Sequence, residues 1–262
     1  MKTIAFAILS VLILFAISLS FQKSSRHLTI GATSVPHAEI LEFIKPEMLK
    51  AGYNIDILVI DDYTIQNRAL DEGDIDANFF QHLPYLEAQI TQFKFDIIPL
   101  VKVHIEPMAL YSLKYKSMDT LPDGATIAVP QDPSNQARAL LLLQKQGLIQ
   151  LAHDRLDVSI FDIKTNDNKY RFLEIDSPLL ARSLEDVDAA AINTNFALQA
   201  NLSPMTDALA IESLDSPFSN IVAIRTSDAE REDLKYLSTL LTSKELKHYI
   251  YERYKGAIMP AE

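Results

Sequence analysis

An arginine near a helix start, amides at the ends of strands and an aromatic–imidazole run behind an acidic turn are the residues of this chain best equipped to grip a small molecule. The stretch AVPQDPSNQARALLLL reads as a strand, a proline-containing loop and a helix with Arg138 near its first turn. Backbone N–H groups at such a start and the positive end of the helix dipole favour an anion, and a guanidinium fork holds a carboxylate by paired charge-assisted hydrogen bonds. The same pattern also fits a surface arginine. Asn193, Asn195 and Asn220 sit at strand ends, where an amide can accept from an ammonium or donate to a carboxylate while carrying no charge. Taken singly, each fits a turn or a cap better.

The run DANFFQHLPYL places Phe79, Phe80 and His82 at the end of another strand. Alternation sends one phenylalanine into the core and the other to the opposite face or the strand end. His82 fits a pocket wall, a metal ligand or a hydrogen-bonded structural histidine. Metal chemistry has little further support, because the six histidines are scattered at 27, 37, 82, 104, 153 and 248, with no HExxH and no cysteine. Neither GxSxG nor a P-loop occurs, and no catalytic residue, metal or cofactor is expected.

The elements that must position these residues alternate. Leu28 to Ala32 reads as a strand; Ser34, Pro36 and Glu39 then open a helix that stops at Gly52, with a kink or interruption at Pro46. NIDILVI is a strand, a short helix closes at Gly73, and DIDANFF is the next strand. The order recurs with ATIAVP, ARALLLLQKQG and EDVDAAAIN. This alternation predicts an α/β fold built on parallel sheets. GDIDANFF and EDVDAAAIN share an acidic–Asp–Ile/Val–Asp–Ala pattern, which makes them corresponding strands of two lobes. Ligands of open α/β sheets bind beyond the carboxyl ends of strands, where Phe80, Gln81, His82 and Asn193, Thr194, Asn195 fall. HIEPMALYS and SPFSNIVAIR then read as the two crossings between lobes.

A net charge of −11 with no Lys/Arg cluster disfavours nucleic acid as a partner. Ile4 to Phe21 forms an apolar run behind Met1 and Lys2, with small residues at Ala16, Ser18 and Ser20. It predicts an export signal over residues 1–26, either cleaved or kept as a membrane anchor. The remainder is then periplasmic or attached to the outer face of the cytoplasmic membrane. The absence of cysteine brings neither disulfides nor a lipidated residue.

The motifs DANFFQHLPYL, PHAEILEFIKP, DPSNQARALLLLQKQGLI, DAAAINTNFALQANL, SPFSNIVAIR and YKGAIMPA, in this order from about residue 28 onward, resemble the NlpA/MetQ family of methionine-binding proteins. The resemblance implies a two-lobed periplasmic-binding-protein type II fold, each lobe a mainly parallel sheet flanked by helices, with lobe 1 over 27–107 plus 223–262 and lobe 2 over 108–222. It implies a monomer that captures L-methionine, delivers it to an inner-membrane ABC permease with its ATPase, and catalyses nothing. Its pocket falls on Tyr63, Phe80 and His82 around the ligand side chain, Arg138 on the carboxylate, and Asn193 and Asn220 on the amino and carboxylate ends. The chain departs from the family's pattern in lacking the signal-end cysteine, in Gln66 where proline is common, and in Gln136–Ala137 where an acidic residue and glycine are usual. A looser loop at Tyr63 and a methyl at the cleft edge are the expected consequences. Another ligand on the same scaffold (D-methionine, a methionine-containing dipeptide or another apolar amino acid) and a metal-binding protein using His82 with Glu87 are the alternatives.

Overall fold

The computed structural model describes residues 26–261; the apolar run Ile4–Phe21 and the signal expected over 1–26 lie outside it except for Arg26. Among the described residues no helix is long and apolar enough to cross a membrane.

The chain begins with β1 (Arg26–Ala32), a helical segment over Ser34–Ala38, helix α1 (Glu39–Lys50), β2 (Tyr53–Val59), α2 (Tyr63–Glu72), β3 (Ala77–His82), α3 (Leu83–Phe93) and β4 (Ile97–Ile105). It crosses to a second body of β5 (Ala109–Tyr111), β6 (Thr126–Pro130), α4 (Pro133–Lys145), β7 (Gln150–Leu151), β8 (Ile163–Thr165), β9 (Arg171–Ile175), α5 (Leu180–Ser183), β10 (Ala189–Ile192), α6 (Thr194–Gln199) and β11 (Ala208–Ile211). It returns with β12 (Ser219–Arg225), α7 (Glu232–Leu241), α8 (Lys244–Tyr254) and β13 (Met259–Pro260).

Local chemistry sets the ends of these elements. Asp62 caps α2 through Thr64 N–H, and Gly73 closes it at φ 86°, a left-handed conformation that glycine adopts at little cost. His82 caps α3 and Asp132 caps α4, each followed by a proline in the first turn. Helix α1 runs through Pro46 without the expected interruption. Pro46 and Glu42 are both exposed, so the carbonyl that loses its intrahelical partner faces water.

The strands form a six-stranded sheet, β13-β4-β12-β3-β1-β2, and a five-stranded sheet, β11-β5-β10-β6-β9. The expected parallel pairing covers β2-β1-β3 and β9-β6-β10, and antiparallel strands complete each sheet. The sheets are therefore mixed, because the strands flanking the crossings enter from the opposite direction. β12 pairs with β4 from Ser219 and with β3 from Asn220 onward, which returns the chain to the first sheet.

GDIDANFF and EDVDAAAIN occupy matching places. Asp76 N–H donates to Thr29 O at 2.8 Å while its carboxylate accepts from Thr29 N–H at 2.9 Å. Asp188 makes the same pair with Thr126, at 2.9 and 2.8 Å. Each aspartate thus fixes the register of its strand against a parallel neighbour, β3 against β1 and β10 against β6. Leu28, Ile30, Ile40 and Phe79 build the core of the first lobe; Ile127, Val129, Leu140 and Leu143 build that of the second. Burying each such side chain contributes about 1.5–3 kcal/mol. A third apolar cluster, with Tyr63, Phe80 and Tyr85 from one lobe and Ala128, Ile192 and Phe196 from the other, lies across the cleft.

Candidate functional site

Tyr63, Phe80, His82, Arg138, Asn193 and Asn220 all line one narrow cavity between the lobes. Each is buried. Tyr63 is the first residue of α2, Phe80 and His82 end β3, Asn193 follows β10, and Asn220 lies in β12 beside His82. Strand alternation separates the phenylalanines as expected: Phe79 packs in the first core, and Phe80 faces the cavity. Phe80 joins Tyr63 at 5.3 Å and Tyr85 at 5.8 Å between ring centroids, which makes one wall aromatic.

Arg138 lies in the second turn of α4, and the start of that helix is already satisfied. The Asp132 carboxylate accepts from the N–H of Asn135 at 2.9 Å and from its side-chain amide at 3.1 Å, so a side chain of this protein fills the anion position expected there. Arg138 instead reaches both crossings. Its Nε and Nη2 donate to the Glu212 carboxylate, Nη2 at 2.6 Å, and Nη2 also donates to Glu106 O at 2.5 Å. Phe218 packs against its guanidinium plane at 4.4 Å. Among the described residues Nη1 has no hydrogen-bond partner, and it is the nitrogen left to meet a guest.

The amides are oriented by their partners. Asn193 donates through Nδ2 to Asn135 Oδ1 at 2.8 Å, leaving its buried Oδ1 without a partner among the described residues. Asn195 is turned the other way: its Oδ1 accepts from the Tyr63 hydroxyl at 2.7 Å, and its buried Nδ2 is unpartnered. The cavity wall therefore holds an orphaned acceptor and an orphaned donor, each of which costs about 1–3 kcal/mol when left unmet. Asn220 Oδ1 is engaged by His37 Nε2 at 3.1 Å, so its amide N–H groups are what remain to offer.

His82 accepts from Tyr85 N–H through Nδ1 and faces Asn135 Oδ1 through Nε2 at 3.0 Å. Nε2 therefore carries the proton. Burial, with the Arg138 charge nearby, pushes its pKa down to about 3, so His82 is a neutral wall and a bridge between lobes. Both ring nitrogens are engaged, and Glu87 does not line the cavity; the pairing of these two around a metal is not formed. Folding brings together a different trio, His37, His104 and Glu106, all buried, with candidate ligand atoms within 4.8 Å of one another. Here Glu106 Oε1 lies 2.7 Å from His104 Nε2 and 3.2 Å from His37 Nε2. Glu106 lines the cavity, and burial raises its pKa, opposed by His37, Arg138 and the backbone N–H of Asn195.

Glu106, Asn135 and Tyr85 are wall residues absent from the sequence-based set. Asn135 was accessible as a helix-start asparagine three residues before Arg138; Glu106 carried no local signal beyond its place in a crossing. At the first departure from the family pattern, Gln66 donates to Ile60 O at 2.8 Å across the turn that precedes Tyr63. At the other, the methyl expected at the cleft edge is not there. Ala137 packs in the second core, away from the cavity, and Gln136 bonds Glu174 and Pro130 O.

Comparison with known proteins places the chain. A family model described as NlpA lipoprotein matches residues 28–262. The methionine-binding lipoprotein MetQ of Bacillus subtilis is 36% identical over 245 residues, covering 91% of this chain and 89% of the relative. The D-methionine-binding lipoprotein MetQ of Escherichia coli is 36% identical over 218 residues, covering 82% and 80%. A nutrient binding protein from Burkholderia cenocepacia, solved bound to methionine, superposes with a TM-score of 0.87 at 42% identity, covering 90% of this chain and all of that one. These are binding proteins, not enzymes. On the length and strength of these matches, the chain belongs to the NlpA lipoprotein family.

Proposed function

We propose that this protein captures methionine as a zwitterion between its two lobes and delivers it to an inner-membrane ABC permease with its ATPase. One observation carries the reading: a single buried cavity is lined by a guanidinium and a carboxylate, Arg138 and Glu106, with an orphaned acceptor on Asn193, an orphaned donor on Asn195 and an aromatic wall of Tyr63, Phe80 and Tyr85. Arg138 Nη1 and the Asn220 amide N–H take the ligand carboxylate. Glu106 and Asn193 Oδ1 take the ammonium. The aromatic wall receives the thioether, whose contacts with ring edges contribute about 0.3–1.5 kcal/mol each. The methionine-bound relative and the two methionine-binding lipoproteins support this assignment.

The jaws are residues 27–107 with 223–262 and residues 108–222, and β12, which begins at Ser219, carries the return to the first jaw. Tyr63–Asn195 and His82–Asn135 bridge them beside the cavity, and Gln199 donates to Asp61 at 2.9 Å farther out. Ligand that contacts both jaws stabilises this closed arrangement over an open one. The protein acts as a monomer, exported and held at the outer face of the membrane beside its permease.

Native mass spectrometry of the full-length protein, followed by calorimetric titration with L- and D-methionine after unfolding and refolding, tests the reading. A co-purified mass equal to methionine and 1:1 rebinding are expected. A heavier, dipeptide-like adduct, or no binding of either enantiomer, overturns it.

A further inference from the structure

We propose that His37 and His104 are positioning residues for the zwitterionic end of the ligand, holding from outside the cavity the Asn220 amide that meets its carboxylate and the Glu106 carboxylate that meets its ammonium. This rests on the reading above that Glu106 receives the ammonium. Neither histidine lines the cavity, and both are fully buried, so they act on a ligand through their neighbours. His104 Nε2 donates to Glu106 Oε1 at 2.7 Å, and His37 Nε2 lies 3.2 Å from the same oxygen, so both rings face one side of the carboxylate. His37 Nε2 also lies 3.1 Å from Asn220 Oδ1, turning the Asn220 amide nitrogen away from the histidine.

The tautomers follow from the surroundings. Thr33 Oγ1 is 2.6 Å from His37 Nδ1 and donates to it, so Nε2 carries the hydrogen. His104 Nδ1 is buried with no partner; a bare lone pair is tolerated there better than an unpaired N–H, which again puts the hydrogen on Nε2. Phe79 meets both rings edge-on, at 4.6 and 5.4 Å, and fixes their planes from the core of the first lobe. His104 and Glu106 are two residues apart at the end of β4, so the carboxylate is held at the point where the chain leaves one lobe for the other.

Neutral donors suit this task. A lysine or arginine in their place would cancel the charge that an ammonium must find, whereas imidazole N–H groups orient a carboxylate without neutralising it. Burial keeps both rings uncharged, lowering His37 to about 4 and His104 to about 3. The other groups facing Glu106 are Arg138, already paired with Glu212, the Tyr63 hydroxyl and the backbone N–H of Asn195. With Arg138 balanced by Glu212, Glu106 remains as the unbalanced anion among the described residues of the wall.

The test compares methionine with its desamino counterpart, 4-(methylthio)butanoate, on full-length wild type, His104→Gln and His104→Asn. A glutamine amide reaches to where Nε2 stood; an asparagine amide stops at the level of Nδ1. Wild type and His104→Gln are expected to prefer methionine, and His104→Asn to lose about 10-fold or more of that preference, with affinity for the desamino acid unchanged. Equal preference in the Gln and Asn variants overturns the positioning role. A wild type that binds both acids equally defeats the assignment of Glu106 itself, and one that binds neither defeats the methionine reading; each takes the present inference with it.

Discussion

Replacing Arg138 by alanine should damage two properties that a second substitution can pull apart. The guanidinium makes its bonds to Glu212 and to Glu106 O from a side chain that is 2% exposed, while the Glu212 side chain is 12% exposed. Removing one partner of such a pair strands the other as an uncompensated charge, which costs about 3–5 kcal/mol, with Glu212's partial exposure favouring the lower end. Domains of this kind have about 5–15 kcal/mol to lose, so the variant should fold but melt earlier. Separately, loss of the Nη1 donor removes a hydrogen bond to a charged ligand group, about 1.5–3 kcal/mol, or roughly 10- to 150-fold in Kd.

In the double variant Arg138→Ala/Glu212→Gln no anion is left stranded, so most of the stability should return while methionine affinity stays low. Urea unfolding followed by tyrosine fluorescence serves for stability, since the chain has 10 Tyr and no Trp, and calorimetry serves for affinity. Recovery of affinity in the double variant would show that Arg138 acts through the crossings alone and touches no ligand. Wild-type affinity in the single variant would remove Arg138 from the site altogether.

Three further outcomes follow from particular contacts. Tyr63→Phe deletes the 2.7 Å bond to Asn195 across the cleft; methionine affinity should fall by about 5-fold, roughly 1 kcal/mol, in a calorimetric titration, and unchanged affinity would exclude this bond from closure. Gly31→Ala would bring a methyl to 2.9 Å from Ile75 Cδ1 and 3.1 Å from Gln66 Oε1, and the overpacking should cost about 1–3 kcal/mol in urea unfolding. Asp188 is held below its ordinary value of 3.8 chiefly by the Thr126 N–H. Its contribution is present above 3.8 and lost as pH falls through the depressed folded value, so a stability gap between wild type and Asp188→Asn at pH 7 should close in acid; a gap that persists at low pH would refute the linkage.

The strands, the helix starts and the crossings were legible because each is written in neighbouring residues: Asp62 and Gly73 bound a helix, and Pro133 follows its cap. The wall residues at strand ends were legible for the same reason. Partners were not. Arg138 and Glu212 are separated by 74 positions, Tyr63 and Asn195 by 132, and His37 and Asn220 by 183. No periodicity connects such residues, and a helix-start arginine looks the same whether its fork meets a ligand or a glutamate. The error about the start of α4 has a different origin: Asp132 directly before Pro133 is itself a local cap pattern, and its carboxylate takes the N–H of Asn135 three residues on.

The internal likeness of the two lobes explains how one architecture supplies unlike jaws. Asp76 and Asp188 bind the backbones of Thr29 and Thr126 in the same way, at the amino ends of β3 and β10. A one-residue slip would send every side chain of a strand to the other face, so these aspartates determine which residues arrive at the cleft. With register fixed at one end, the other is free to vary. β3 arrives with Phe80 and His82, an aromatic and a neutral imidazole, whereas β10 arrives with Asn193 and, two residues on, Asn195, whose orphaned atoms have opposite polarity. An amphipathic guest is thereby gripped by different chemistry on its two sides. It gains full contact only when both jaws are present, and that requirement couples binding to closure.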